Sequence, residues 1–108
     1  MNFIDDFLTL IQNNEFKCAH EILEPFWKEC KISGNKNEEL LLKALINGAT
    51  SLELIRLGRL EASIKAWSVL IKYSHHLEFI PSKKAKVYTN AIQKLTQKKE
   101  WYENSINC

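Results

Sequence analysis

The sequence predicts an all-α fold, a compact bundle of about five helices around a central buried helix near residues 38–57. Three observations predict it. Apolar residues recur at three- and four-residue intervals along most of the chain, the period of one face of an α-helix. Only three Gly and two Pro occur in 108 residues, too little punctuation for an architecture of short strands and frequent turns. And the stretch from Leu40 to Leu57 carries Leu41, Leu42, Leu45, Ile46, Leu52 and Ile55 around most of a helical circumference, the mark of a helix covered on several sides.

The elements follow in order. Residues 2–12 read as a short helix with Phe3, Ile4, Phe7, Leu8 and Ile11 on one stripe. Asn13-Asn14 stops it, because Asn tolerates the left-handed cap conformation. A second helix, 15–31, buries Phe16, Ala19, Leu23, Phe26 and Trp27 on one face. Pro25 inside it removes an amide and crowds the Glu21 carbonyl, so a bend is expected there. Ser33-Gly34-Asn35-Lys36-Asn37 is a polar loop. Asn35 and Glu38 have the spacing of a capping box for the third helix, 36–57. Gly48 in its middle costs about 1 kcal/mol against Ala, which close approach of a neighbour, here the second helix, would offset. Leu57-Gly58 is a turn. The fourth helix, 59–74, points Leu60, Ile64, Trp67, Leu70 and Ile71 inward. Residues 74–81 form a break. Ser82 caps a fifth helix, 82–101, with Ala85, Tyr88, Ile92 and Leu95 as its stripe, and residues 101–108 are expected to fray.

The totals bound the class. A chain of 108 residues is the size of one domain, 1–108. Cys18, Cys30 and Cys108 are an odd number without CxxC spacing, so a reducing, cytoplasmic location is expected. Asp5 and Asp6 stand where a secretory signal would be basic. No apolar run nears the ~18 residues of a membrane span, so no membrane partner is expected. The net charge of +2 conceals a basic C-terminal part: Lys83, Lys84, Lys86, Lys94, Lys98 and Lys99 have no acid among them.

One pair carries chemistry. His20 and Glu24 lie one helical turn apart at the margin of the apolar face that holds Trp27. Glu21, about 100° round the helix, faces solvent. An imidazole and a carboxylate at this spacing can hold a divalent metal from one helix face. Two ligands make a loose site, since a catalytic zinc takes three protein ligands. His75, His76, Asn47 and Glu53 are the candidates by type for a third. The structural reading is a His20–Glu24 hydrogen bond that satisfies two polar groups beside the core. The six lysines could meet phosphate backbones. They come without Arg, however, and their one interleaved aromatic, Tyr88, is on the buried stripe. Base readout and stacking are therefore disfavoured.

The run Ala19-His20-Glu21-Ile22-Leu23-Glu24-Pro25-Phe26-Trp27 resembles the signature of domain-of-unknown-function family 309, with His20, Glu24 and Trp27 at its His, Glu and aromatic positions. Phe16 resembles the family's upstream aromatic. Leu42-Lys43-Ala44-Leu45-Ile46 is similar to the opening of its central helix, with Lys43 and Ala44 replacing Gln and Gly. Gly58-Arg59-Leu60-Glu61-Ala62 resembles a later turn. The resemblance spans about residues 4–78 and leaves the basic helix outside. It implies a small helical protein of bacterial or archaeal type, a functionally important His/Glu pair and suggested metal binding, with no established activity.

The sequence thus points first to an interaction or ligand-binding module organised on His20, Glu24 and Trp27, with a protein partner or a second copy as candidate partners. The alternative is a metal-dependent enzyme or metal-binding protein using His20 and Glu24 as ligands. A further alternative is weak, non-specific nucleic-acid binding through residues 83–99, by Lys83, Lys84, Lys86 and Lys94. Catalytic residues are not identified.

Overall fold

The computed structural model describes residues 3–107, of which 105–107 are described by backbone alone. Five α-helices and a short 3₁₀ turn account for nearly all of it: α1 (Phe3–Gln12), α2 (Phe16–Ser33), α3 (Lys36–Arg56), α4 (Leu60–Ser74), the turn His75–Phe79 and α5 (Ser82–Asn107). The described residues contain no strand, so the all-α class and the helix count stand. The expected helix start at residue 2, and Cys108, lie outside the described residues.

α3 is the centre, packed against α2, α4, α5 and the 3₁₀ turn, while α1 packs against α2 and α5. Its residues Leu41, Leu42, Ala44, Leu45, Ala49 and Leu52 are fully buried. Around it sit Ile4, Phe7 and Ile11 of α1, Phe16, Ala19 and Leu23 of α2, Leu70 of α4, and Tyr88, Ala91 and Leu95 of α5, in one cluster. No described helix is long and apolar enough to cross a membrane.

Three helices stop by one device. Asn14, Gly34 and Gly58 adopt left-handed backbone, with φ of 62°, 80° and 78°. The amide after each reaches back five residues: Glu15 to Leu10 O at 2.9 Å, Asn35 to Cys30 O at 3.0 Å, Arg59 to Leu54 O at 2.8 Å. Otherwise orphaned carbonyls are satisfied and the chain reverses at once.

Several expectations are corrected. Asn35 caps α3 with its backbone carbonyl, which accepts from Glu39 N at 2.9 Å. Its side chain instead donates to Glu38 Oε2 at 3.0 Å, so the capping box does not form. Gly48 admits α4 and α5 rather than α2: a Cβ there would lie 2.6 Å from Leu70 Cδ1 and 2.8 Å from Leu95 Cδ1. α4 is rotated from its expected setting. It buries Ser63, Ala66 and Leu70 and exposes Leu60, Ile64 and Ile71. The reason is local. Leu70 needs the hollow at Gly48, and the Ser51 hydroxyl donates to Ser63 O at 2.9 Å and lies 2.8 Å from Ser63 Oγ. That close, paired contact requires the small-residue face of α4. Finally, α5 does not fray at residue 101. It stays helical to Asn107, with the Tyr102 ring edge-on to buried Phe16 at 5.8 Å between centroids.

Candidate functional site

α2 runs unbroken through Pro25. Its inner face is pinned by Phe16, Ala19 and Leu23, all without solvent exposure. That fixes the rotation of the helix and sets His20, Glu24 and Trp27 along the rim of the packed face. Glu21 points to solvent, as expected. His20 Nε2 lies 2.8 Å from Glu24 Oε1, and the two side chains keep 34 % and 40 % of their surface exposed. With Nε2 engaged as donor, Nδ1 is the nitrogen left for anything outside; it meets no partner among the described residues.

This geometry bears on metal binding. Zn–N and Zn–O bonds are each about 2 Å, and two ligands at a tetrahedral angle then stand about 3.3 Å apart, so joint ligation would require this hydrogen bond to break and the pair to open by about half an ångström. As arranged, Glu24 fixes the imidazole's tautomer and direction, the part an outer carboxylate plays behind a ligating His. The two cannot both ligate while their hydrogen bond holds. The third-ligand candidates are engaged elsewhere. His75 Nδ1 donates to Lys72 O at 2.7 Å and His76 Nδ1 lies 2.9 Å from Asn37 Oδ1. Asn47 bonds within its own helix to Lys43 O at 2.9 Å, and Glu53 pairs with Arg56. Among the described residues no three His, Cys, Asp or Glu side chains gather to hold an ion. The His76 imidazole titrates below its ordinary range, because removal from water and then the charges of His75 and Lys36 disfavour its cation.

Trp27 is half-buried. The Lys31 ammonium sits 5.2 Å from its ring centroid. Its indole N–H is shielded from solvent and meets no acceptor among the described residues. Native structures rarely bury a donor that way.

The basic helix is less basic outward than its sequence. Lys84 donates to Glu38, Lys98 reaches Gln12 O and Asn14 Oδ1 at 3.2 and 2.9 Å, and Lys99 pairs with Glu103. Lys83 and Lys86 remain exposed, and Lys94 is half-buried beside Lys98.

Sequence reasoning missed a different polar cluster. The Glu38 carboxylate, 12 % exposed, accepts from Tyr88 OH at 3.0 Å, Lys84 Nζ at 3.1 Å and Asn35 Nδ2 at 3.0 Å. Burial, then the Glu38 charge, drives the Tyr88 phenol far above its ordinary pKa. Burial and the same carboxylate push up the Cys30 thiol, at the wall of a recess of about 380 Å³ that Phe3, Phe26, Glu38 and Leu42 also line. Three donors occupy Glu38, so it clamps α5 to the start of α3 rather than serving as an acid or base. Its sequence signal was ambiguous. Glu38 stands at a capping position, and its partner is 50 residues away.

Comparison with known proteins adds one relation. No curated protein and no solved structure matches the chain. A family model, Domain of unknown function (DUF309), matches residues 4–66, from α1 into α4. The match ends at residue 66, short of the expected limit near residue 78. Since the match covers more than half of the 108 residues, the chain belongs to the DUF309 family.

Proposed function

We propose that this DUF309 protein is a small interaction or ligand-binding module whose recognition edge is the His20–Glu24–Trp27 rim of α2. One observation carries the reading. A carboxylate-oriented imidazole stands partly in solvent, with one ring nitrogen committed at 2.8 Å and the other without a partner among the described residues. Half-buried Trp27, one turn beyond Glu24 on the same helix, supports it as an apolar surface for a ligand. A cytoplasmic setting belongs to this proposal, supported by Cys18 and Cys30, both unpaired thiols.

Metal catalysis is the weaker reading, since the pair as hydrogen-bonded offers one ring nitrogen. Nucleic-acid binding is weaker still, since Lys84, Lys98 and Lys99 are engaged within the fold. The test is a fragment screen read by amide chemical shifts on the full chain, using small carboxylic acids and amides as probes. Shifts grouped at residues 19–28 and lost in His20→Ala are expected. Hits that map elsewhere, or that survive His20→Ala unchanged, would remove the proposal. Titration with Zn²⁺ alone addresses the metal reading. Stoichiometric binding abolished by His20→Ala would move it ahead.

A further inference from the structure

The rotation of α4 leaves its bulky face outside. Leu60, Ile64 and Ile71 are 47 %, 69 % and 60 % exposed, with half-buried Trp67 completing the row. Solitary exposed aliphatics such as Ile32 need no explanation. A continuous row along a helix marks an association surface.

The row selects its partner by symmetry. Its spacings, 60 to 64 to 67 to 71, read four, three, four in either direction. Placed antiparallel across a two-fold axis, Leu60 faces Ile71 of the second copy and Ile64 faces Trp67, the layered pairing of a short helical seam. Charge agrees. One flank of the row carries exposed Glu61 in the first turn and Lys72 in the last. The same two-fold brings Glu61 beside Lys72 of the second copy at both ends. On the other flank Lys99 lies over the Trp67 ring at 5.2 Å and pairs with Glu103, while exposed Lys65, on the Glu61 flank, falls opposite Ser68 of the second copy. We propose that this α4 row is a homodimer interface, formed by antiparallel pairing of α4 with α4 of a second copy.

The pairing is weak by size. A helix of 15 residues is about 22 Å long and 10–12 Å across, and one helix-on-helix contact covers well under the ~800 Å² per partner of a standard interface. A reversible dimer with Kd of about 10–100 µM is the expected scale. It is independent of the α2 rim, and either can fail alone.

Sedimentation equilibrium of the full chain tests it, over about 5 µM to 1 mM. The mass is expected to climb from 12.6 kDa toward twice that value. Ile64→Glu, at a site already exposed, is expected to keep the helical circular dichroism and thermal midpoint and to remain monomeric throughout. Glu61→Lys and Lys72→Glu are each expected to weaken the dimer about three- to tenfold, and together to restore it. A monomer at every concentration overturns the proposal and leaves the row to a different protein. Self-association indifferent to Ile64→Glu overturns it as well. A double charge swap that fails to restore pairing overturns the antiparallel arrangement.

Discussion

Gly48 shows how much one missing methyl group decides. Alanine there would gain about 1 kcal/mol of helix propensity, yet its Cβ would press on Leu70 Cδ1 at 2.6 Å and Leu95 Cδ1 at 2.8 Å. Overpacking a filled core costs about 1–3 kcal/mol. Both leucines are buried and hemmed in, so Gly48→Ala is expected to lower stability by about 1 kcal/mol net in urea denaturation, despite the better helix former. A gain in stability would mean the leucine tips move freely. Trp27 is a smaller anchor than its sequence position implies. A fully enclosed Trp costs about 3–5 kcal/mol on truncation to Ala. Half-burial and an unpaired indole N–H reduce the expected loss to about 2 kcal/mol, and Trp27→Phe, which removes the orphan donor, should cost under about 1 kcal/mol. The same denaturation series measures both. The His20–Glu24 pair is too exposed to hold the fold together. Glu24→Gln is expected to change stability by less than about 0.5 kcal/mol, so any effect on ligand binding would be read without a folding artefact.

The three left-handed corners can be compared at the level of the helices they end. Nothing lies within 4 Å of a Cβ built at Gly34 or Gly58, so the penalty for a side chain there comes from the backbone alone, about 1–2 kcal/mol. Gly58→Ala should therefore destabilise by about 1 kcal/mol while Asn14→Gly stays near neutral or gains slightly; thermal midpoints of the two variants decide it. These corners were legible because Asn and Gly announce them. The all-round apolar pattern of residues 40–55 likewise announced the central helix. The setting of α4 was not legible. Its sequence offers two candidate inner faces, and the bulky one is the more apolar. What chose the other face was Gly48 and Ser51 on a different helix, information that periodicity within α4 does not contain. The far end of α5 was misread for a related reason. Its polar tail looks frayed until Tyr102 is seen against Phe16, 86 positions earlier in the chain. The candidate site was half legible. The helical spacing placed His20 beside Glu24 and allowed their hydrogen bond, but the engagement of His75, His76, Asn47 and Glu53 elsewhere depends on contacts that helical spacing does not contain.

Across the whole molecule, α5 is the element that completes the core although the family match ends before it. Tyr88, Ala91 and Leu95 are all buried. Losing Tyr88 and Leu95 alone forfeits about 5 kcal/mol or more, comparable with the whole stability of a small protein. A chain ending at residue 80 is expected to lose its cooperative thermal transition. Retention of a sharp transition would show that α1–α4 suffice. The Glu38–Tyr88 clamp also gives the fold an alkaline limit. The folded phenol titrates above the unfolded one, so in alkali the native state holds a proton that the unfolded chain gives up. Stability is unaffected by this group below about pH 10. Above that it falls, by up to about 1.4 kcal/mol per pH unit. The slope difference between the wild-type chain and Tyr88→Phe isolates it, and equal slopes would remove the clamp from the account.

The hollow at Gly48 is filled from two sides, by Leu70 and by Leu95. These side chains leave the ribosome 25 residues apart. At ~5–20 residues per second of synthesis, the nascent chain spends about one to five further seconds, once Leu70 has emerged, with its central rod still bare along the flank that α5 later covers. During that interval the rod presents a greasy strip to every chaperone and every neighbouring nascent chain. The amphipathic α5 ends this exposure when it emerges, so slow codons between Leu70 and Leu95 would lengthen the hazard and fast ones would shorten it.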